Sequence, residues 1–258
     1  MILTIDIGNS NIVLGGIRDE EIVFEARLRT EVTKTSDQYC VDLKILLDVQ
    51  GIQPQQIEGA IIASVVPQVL NSMQTAVKKL TGKQSLVVGP GLKTGLDIRL
   101  ENPNQTGADL VAGCVAALRE HKPPMILVDM GTATTMVVLD ETGALVGGCI
   151  CPGLKASVDA LTDRSALLPG LQLDRPKKVI GRNTVDCMRS GVMIGNACML
   201  DGMVERMEAE LGCKTKVIAT GGIAKFVIPL CRTPIHYDKD LLIKGLAALY
   251  RENKHKSL

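Results

Sequence analysis

The pattern of apolar and polar positions predicts that strands and helices alternate along the chain. Residues 2–7 form an apolar run with β-branched side chains, which favours a buried strand. Small polar residues follow from Gly8, and the apolar run resumes at Ile12, so we expect a hairpin with a polar turn. Residues 21–29 alternate apolar and polar side chains, as a third antiparallel strand does.

The rest of the chain continues this alternation. In the first half, the predicted elements are a helix starting at Thr35–Asp37 and stopping at Gly51, a strand over 59–65, a helix from Pro67, a strand over 85–88, an irregular loop over 89–107 and a helix after Gly107. The second half is predicted to begin with strands over 125–129, 136–139 and 144–151, followed by a helix after Gly153 and a mobile surface segment over 163–174. A long helix capped by Asn183 or Thr184, a strand over 213–219 and a final helix over 241–250 complete the prediction.

The second half of the chain repeats the opening stretch. MILVDMGTATTMVVLD begins at Met125, and its Asp129 follows Asp6 by 123 residues. Gly131 then matches Gly8, and three small residues take the places of Asn9, Ser10 and Asn11: Thr132, Ala133 and Thr134. Two such units half a chain apart predict two similar domains, over 1–121 and 122–258.

Each repeat places a carboxylate at a strand end, followed by a small polar loop. Backbone N–H groups and hydroxyls in such a loop can face phosphate oxygens, while the carboxylate balances a bound Mg²⁺. If the two domains face each other, a phosphate chain could be held from both sides. An ordinary hairpin with a polar turn remains the alternative interpretation. The sequence has no GxxxxGK[ST] motif and no GxGxxG motif, so neither of the usual nucleotide loops is present.

Four motifs occur in order: DIGNSNIVLGG, ENPNQTGAD, DMGTATT and IGRNTVDCMRSG. Together they resemble the type III pantothenate kinases, over most of the chain. That family belongs to the superfamily of actin, Hsp70, acetate kinase and the sugar kinases. The resemblance therefore implies a two-domain actin-like α/β fold with duplicated β-sheet-plus-helix domains. It also implies transfer of the ATP γ-phosphate to pantothenate, giving 4′-phosphopantothenate, the first step of coenzyme A biosynthesis.

The resemblance also implies roles for individual residues. Asp109, which spacing alone would rate a helix-start acid, becomes the catalytic base that deprotonates the substrate hydroxyl. Asp6 would position Mg²⁺, directly or through water, and Asp129 would hold a monovalent cation, K⁺ or NH₄⁺. The implied ATP-binding residues are Asp6, Gly8, Asn9, Ser10, Asn11, Ile12, Val13, Thr132, Gly221 and Gly222. The implied substrate-binding residues are Leu100, Gly107, Ala108, Asp109, Leu110 and Thr184.

Two leucines depart from the family pattern. Leu110 stands where many members have Arg, and Leu100 stands where many have Tyr or another polar residue. A kinase for another small hydroxy acid or sugar therefore remains an alternative, as does a non-catalytic relative that assists transcription. Retention of Asp6, Asp109 and Asp129 together favours an enzyme, because a binding protein needs no base.

The amino-acid composition limits the partners and the cellular location that we expect for the protein. The net charge is +1 with no basic run, and there is no Trp, so we expect no nucleic-acid partner. No signal peptide or membrane-length apolar segment is evident, which predicts a cytoplasmic protein without membrane contact. The eight cysteines are expected to be free thiols, with Cys149 and Cys151 on one strand face. Residues 251–258 are predicted to be a solvated tail, and the resemblance implies a homodimer with the long helix near its axis.

Overall fold

A computed structural model describes residues 1–163 and 170–254. It divides the chain into two compact units: Met1–Leu96, Glu101–Glu120 and the segment from Asp240 onward form unit 1, while Asp97–Leu100 and His121–Lys239 form unit 2. Each unit contains one five-stranded sheet.

Unit 1 begins with the predicted antiparallel meander. In chain order its elements are β1 (Ile2–Ile7), β2 (Asn11–Arg18), β3 (Glu21–Arg29), α1 (Ser36–Val49), β4 (Gly59–Ser64), α2 (Pro67–Thr81), β5 (Ser85–Val87) and α3 (Ala108–Glu120), with single 3₁₀ turns at Pro54–Gln56 and Pro103–Gln105. Thr35 caps α1 through a reciprocal capping box with Gln38, as its position before the helix predicts.

Unit 2 repeats the same order of strands. Its elements are β6 (Met125–Met130), β7 (Ala133–Leu139), β8 (Leu145–Pro152), α4 (Leu154–Asp163), α5 (Thr184–Leu211), β9 (Lys216–Thr220), α6 (Ala224–Val227), a 3₁₀ turn at Ile228–Leu230 and β10 (Ile235–Tyr237). The last helix, α7 (Leu241–Asn253), follows in the chain.

The two sheets have one topology. The strand order is β3-β2-β1-β4-β5 in unit 1 and β8-β7-β6-β9-β10 in unit 2, read in the same direction. In both, the first three strands pair antiparallel and the last two add in parallel. The duplicated β-sheet-plus-helix arrangement read from the sequence repeat is therefore confirmed.

The final helix departs from the predicted domain boundaries. Residues 122–258 were expected to form one domain, but α7 groups with unit 1. A Cβ at Gly245 would lie 1.9 Å from the Ala112 carbonyl oxygen, so α7 and α3 approach to backbone contact. Tyr250 of α7 similarly fills the space beside Gly59 of β4. Helix α7 therefore belongs to unit 1, because its apolar face is buried there.

Several local predictions need correction. The elements β10 and α6 were not predicted, and α7 continues to Asn253. Asn253 is only 1% exposed, so the solvated tail cannot begin at 251. Asn183, rather than Thr184, caps α5 by accepting the Asp186 N–H at 2.9 Å. Half of the mobile segment predicted over 163–174, residues 164–169, lies outside the described residues.

Each sheet packs an aliphatic core against its helices. Unit 1 buries Ile5, Ile7 and Ile62 with Tyr39 and Met73 of α1 and α2. Unit 2 buries residues of β6 and β7 with Leu154 of α4 and Leu200 of α5. Among the described residues, no helix is long and apolar enough to cross a membrane. The eight cysteines are free thiols.

Candidate active site

The first polar loop closes a tight turn between β1 and β2. The Gly8 N–H donates to the Asn11 carbonyl at 3.0 Å, so this N–H closes the turn and is not left for a phosphate. Thr30 braces the loop from the end of β3, because its hydroxyl donates to the Gly8 carbonyl at 2.6 Å and its N–H donates to the Ser10 carbonyl at 3.1 Å. Asn9, Ser10 and Asn11 are exposed, and they form the solvent side of the loop.

The residues that flank this loop differ in what they can offer a ligand. Asp6 is half-buried near the end of β1, where it pairs with Val13 on one side and Ala63 on the other. Ile12 is fully buried in the core of unit 1, so a contact between Ile12 and ATP would have to come from its backbone. Val13 is half-buried. A carboxylate beside an exposed polar turn fits a hard cation such as Mg²⁺.

The second polar loop is one residue shorter than the first. Asp129 pairs with Thr135, whereas Asp6 pairs with Val13, so the strand after the loop starts one residue earlier in the repeat. The Gly131 N–H donates to the Ala133 carbonyl at 2.9 Å. Ala133 opens β7 as Asn11 opens β2, and Thr134 is fully buried inside the strand. The expectation that Ala133 and Thr134 occupy the loop is therefore wrong, and Thr132 is its polar member.

Two glycines of neighbouring elements pack closely against this second loop. Gly153, just before α4, lies so close that a Cβ would sit 2.1 Å from the Thr132 carbonyl oxygen. Gly221, after β9, has φ +94, and its Cβ would sit 2.5 Å from the Met130 carbonyl oxygen and 2.9 Å from Asp129 Oδ1. Gly222 is exposed beside it. Unit 2 thus brings Asp129, Thr132 and Gly221 together, with two oxygens converging where Gly221 lacks a side chain.

Asp109 occupies the first turn of α3 in unit 1. The carboxylate accepts the Leu110 N–H at 2.8 Å. Burial raises the pKa of Asp109 above its ordinary value of 3.8, and the backbone hydrogen bonds only partly offset this effect. A Cβ at Gly107 would lie 2.4 Å from Asp109 Oδ1, so the preceding glycine leaves room for the carboxylate. A carboxylate with a raised pKa is the stronger base once it is ionised.

The predicted substrate-binding residues fall on both units. Gly107, Ala108 and Leu110 adjoin Asp109 at the start of α3 and are half-buried. Leu100 is half-buried at the end of a short segment assigned to unit 2, where Ile98 bridges Leu145. Thr184 is exposed at the first residue of α5.

Sequence reasoning missed two residues that hold the loops. Thr30 was not singled out, because a threonine at a strand end carries no motif until its partner strand is known. Gly153 was read only as a helix-leading residue, although the Pro-Gly pair before α4 was a signal of an unusual backbone.

Comparison with known proteins decides the family. The type III pantothenate kinase family matches residues 2–206. The chain is 42% identical to the type III pantothenate kinase of Halalkalibacterium halodurans over 253 residues, covering 98% of this chain and 100% of the relative. It is 43% identical to that of Exiguobacterium sp. over 254 residues, with the same two shares covered. The chain belongs to the type III pantothenate kinase family. Members are ATP-dependent phosphotransferases with an alcohol acceptor, and the family implies ATP and a divalent metal.

Solved structures share the predicted fold. A candidate 2-dehydro-3-deoxygalactonokinase from Sinorhizobium meliloti aligns with a TM-score of 0.62 at 13% identity, covering 98% of this chain and 96% of that one. A candidate Baf family transcriptional activator from Campylobacter jejuni aligns with a TM-score of 0.61 at 19% identity, covering 98% and 99%. At these identities the likeness concerns the fold alone, and it confirms the two-domain actin-like α/β class.

Proposed function

We propose that this chain transfers the γ-phosphate of ATP to the primary hydroxyl of pantothenate, giving 4′-phosphopantothenate for coenzyme A synthesis. Full-length similarity to type III pantothenate kinases is the observation that carries the proposal. The pair of Asp-containing hairpins and the half-buried acid of α3 support it, since a kinase needs phosphate ligands and a base.

Asp109 is the proposed catalytic base. Its carboxylate would accept the proton of the pantothenate hydroxyl as the oxygen attacks the γ-phosphate. Its position in the first turn of α3 favours the ionised form through the helix dipole, while burial raises the pKa and so increases its basicity. Gly107, Ala108 and Leu110 would line the acceptor beside it, and Leu100 and Thr184 are the further proposed substrate contacts.

Asp6 is the proposed ligand of Mg²⁺, directly or through water. The exposed residues Asn9, Ser10 and Asn11 would contact phosphates through N–H groups and side chains, while Gly8 shapes the turn and Ile12 and Val13 contribute backbone. When bound, Mg²⁺ would neutralise the charge that develops on the phosphate oxygens.

Asp129 is the proposed site of a monovalent cation, K⁺ or NH₄⁺. Asp129 Oδ1 and the Met130 carbonyl oxygen lie on the same side of the loop, next to Gly221, and oxygen donors suit a hard cation. Thr132 would contact ATP beside it, and Gly221 and Gly222 would let adenosine approach the backbone.

The assembly and the setting are also proposals. We expect a homodimer that acts in the cytoplasm, because the family resemblance implies a dimer with α5 near its axis and the reaction belongs to central biosynthesis. No nucleic-acid partner is expected from a net charge of +1.

The test is ATP turnover by the purified chain with pantothenate and Mg²⁺, in KCl and in NaCl at equal ionic strength. We expect 4′-phosphopantothenate and ADP in equal amounts, with faster turnover in KCl. ADP formation only with another hydroxylated acceptor would refute the substrate and keep the kinase. ATP binding without any transfer in either salt would favour the non-catalytic alternative instead.

A further inference from the structure

The helix-covered face of β7 and β8 gathers sulfur side chains. Cys149 pairs with Met136, and Cys151 pairs with Thr134. Directly opposed residues of an antiparallel pair point to the same face, with Cβ atoms about 4.5–5.5 Å apart, and residues two apart share a face. Two thiols, one thioether and one hydroxyl therefore adjoin. We call Met136, Cys149 and Cys151, together with Thr134, the sulfur patch.

The sulfur patch lies at the edge of the core and remains accessible. Met136 and Thr134 are fully buried, whereas both cysteines are half-buried on β8, the end strand of its sheet. Met136 belongs to the core of unit 2, and Cys149 packs against that core. A small ion can therefore reach the two thiols from solvent, and the thioether of Met136 lies deeper in the core.

Thr134 supplies an independent observation. Within the described chain, its buried hydroxyl oxygen has no hydrogen-bond partner. Leaving such a group unpaired destabilises the folded protein. The hydroxyl stands opposite Cys151, where it can donate to a thiolate more strongly than to a neutral thiol.

The spacing suits a bridging ion better than a disulfide. Residues two apart in an extended strand have Cα atoms about 6.6 Å apart, near the upper limit of about 6.8 Å for a disulfide. Thiolate and thioether sulfur are the ligands that select Cu⁺.

We propose that the sulfur patch binds one soft monovalent cation, Cu⁺. Two copper–sulfur bonds form as the Cys149 and Cys151 thiols each release a proton to solvent, and Met136 sulfur adds a neutral third ligand. The oxidation states of copper and sulfur do not change. Thr134 donates its orphaned hydroxyl to the Cys151 thiolate and so offsets part of the added negative charge.

Copper binding at the sulfur patch would also affect the second polar loop. Cys151 is followed by Pro152 and Gly153, and Gly153 abuts the Thr132 carbonyl. Closing the two thiolates on one ion pulls on the strand that carries Gly153. Reduced kinase turnover is the expected consequence, and this part alone rests on the proposed function.

The test is anaerobic transfer of Cu⁺ from its bicinchoninate complex to the reduced protein. A chelator of this kind suppresses binding at single thiols. We expect one copper per chain with thiolate-to-copper absorption, lost in Cys149→Ser and in Cys151→Ser. Met136→Leu and Thr134→Val should weaken binding by roughly 10–100-fold, as changes around metal ligands do.

Matched controls exclude other thiols and misfolding. Cys198 lies near Cys231, which makes a second candidate pair, and Cys213 is exposed. Copper transfer should persist in Cys198→Ser and Cys213→Ser, and every variant should keep the wild-type melting profile without copper. Transfer that survives both sulfur-patch serine variants, or that is lost in Cys198→Ser, would overturn the proposal. So would a protein that loses two hydrogens as a Cys149–Cys151 disulfide and takes up no copper.

Discussion

The two units share one sheet topology but hold their polar loops in different ways. In unit 1 the Thr30 hydroxyl donates to the Gly8 carbonyl, and the longer loop leaves three polar residues exposed. In unit 2 the shorter loop is pressed between the backbones of Gly153 and Gly221. Duplication has thus kept the strand order while the local packing diverged, so the two Asp-Gly hairpins need not do the same work.

The helices that follow the fifth strands of the two sheets also differ, although both pack in unit 1. Helix α3 of unit 1 carries Asp109 in its first turn, whereas α7, which follows β10, begins with apolar residues after Asp240. Only the first of these helices presents an acid from within its opening turn. In the proposed function, proton transfer belongs to Asp109 of α3, and phosphate and cation binding are shared by the two hairpins.

The largest effect among the loop variants is expected from Gly221→Ala. The substitution places a Cβ 2.5 Å from the Met130 carbonyl oxygen at a residue with φ +94. The left-handed backbone alone costs about 1–2 kcal/mol. We expect a lower melting temperature together with weak ATP turnover.

Gly8→Ala is the matched control in unit 1. Its Cβ would lie 3.2 Å from the Asn11 carbonyl oxygen, a contact that a small shift relieves. Thermal unfolding and ATP KM should change much less than in Gly221→Ala. Equal losses in the two variants would contradict the difference in how the loops are held.

An intermediate effect is expected from Asp129→Asn. Neutralising this carboxylate should remove most of the advantage of KCl over NaCl, with a loss of about tenfold in KCl, equal to ~1.4 kcal/mol. Asp6→Asn should instead lower turnover in both salts and raise the Mg²⁺ requirement. Initial rates measured in both salts over a range of Mg²⁺ concentrations distinguish the two variants. A KCl advantage that persists in Asp129→Asn would refute the cation site.

The smallest effect is expected from Thr30→Val. The substitution keeps the side-chain shape but removes the hydroxyl that donates to Gly8, at a cost of about 1 kcal/mol. We expect ATP KM to rise a few-fold with kcat nearly unchanged. Thr81→Val removes a comparable hydroxyl–carbonyl bond at 2.8 Å within α2, together with the acceptor of the Lys83 N–H, and should leave ATP KM unaltered. Similar KM values in both variants would show that Thr30 does not shape the loop.

The hairpins, α1 and the repeat could be predicted because their signals are local. Period-two alternation identifies β3, and Thr35 with Gln38 marks the start of α1. The membership of α7 depends on which sheet covers its apolar face, and neither helical spacing nor Gly245 reveals that before the partner is known. The three-residue strand β10 is too short to carry a period.

The candidate-site residues, too, could be predicted only where their signals are local. The sequence repeat indicated Asp6 and Asp129, but it misaligned Thr134, since one residue of loop length is invisible until the strand register is observed. The burial that raises the pKa of Asp109 exists only in the folded protein, so sequence position alone predicted a helix-start acid.

The most direct test of the account is the turnover of Asp109→Asn beside its ATP affinity. Asparagine keeps the size of the side chain and removes its basicity. A missing general base should lower kcat by roughly 10²–10⁴-fold, while the dissociation constant for ATP, measured by calorimetry, stays within a few-fold of the wild-type value. Near-normal turnover of pantothenate by Asp109→Asn would contradict the assignment of the base to unit 1.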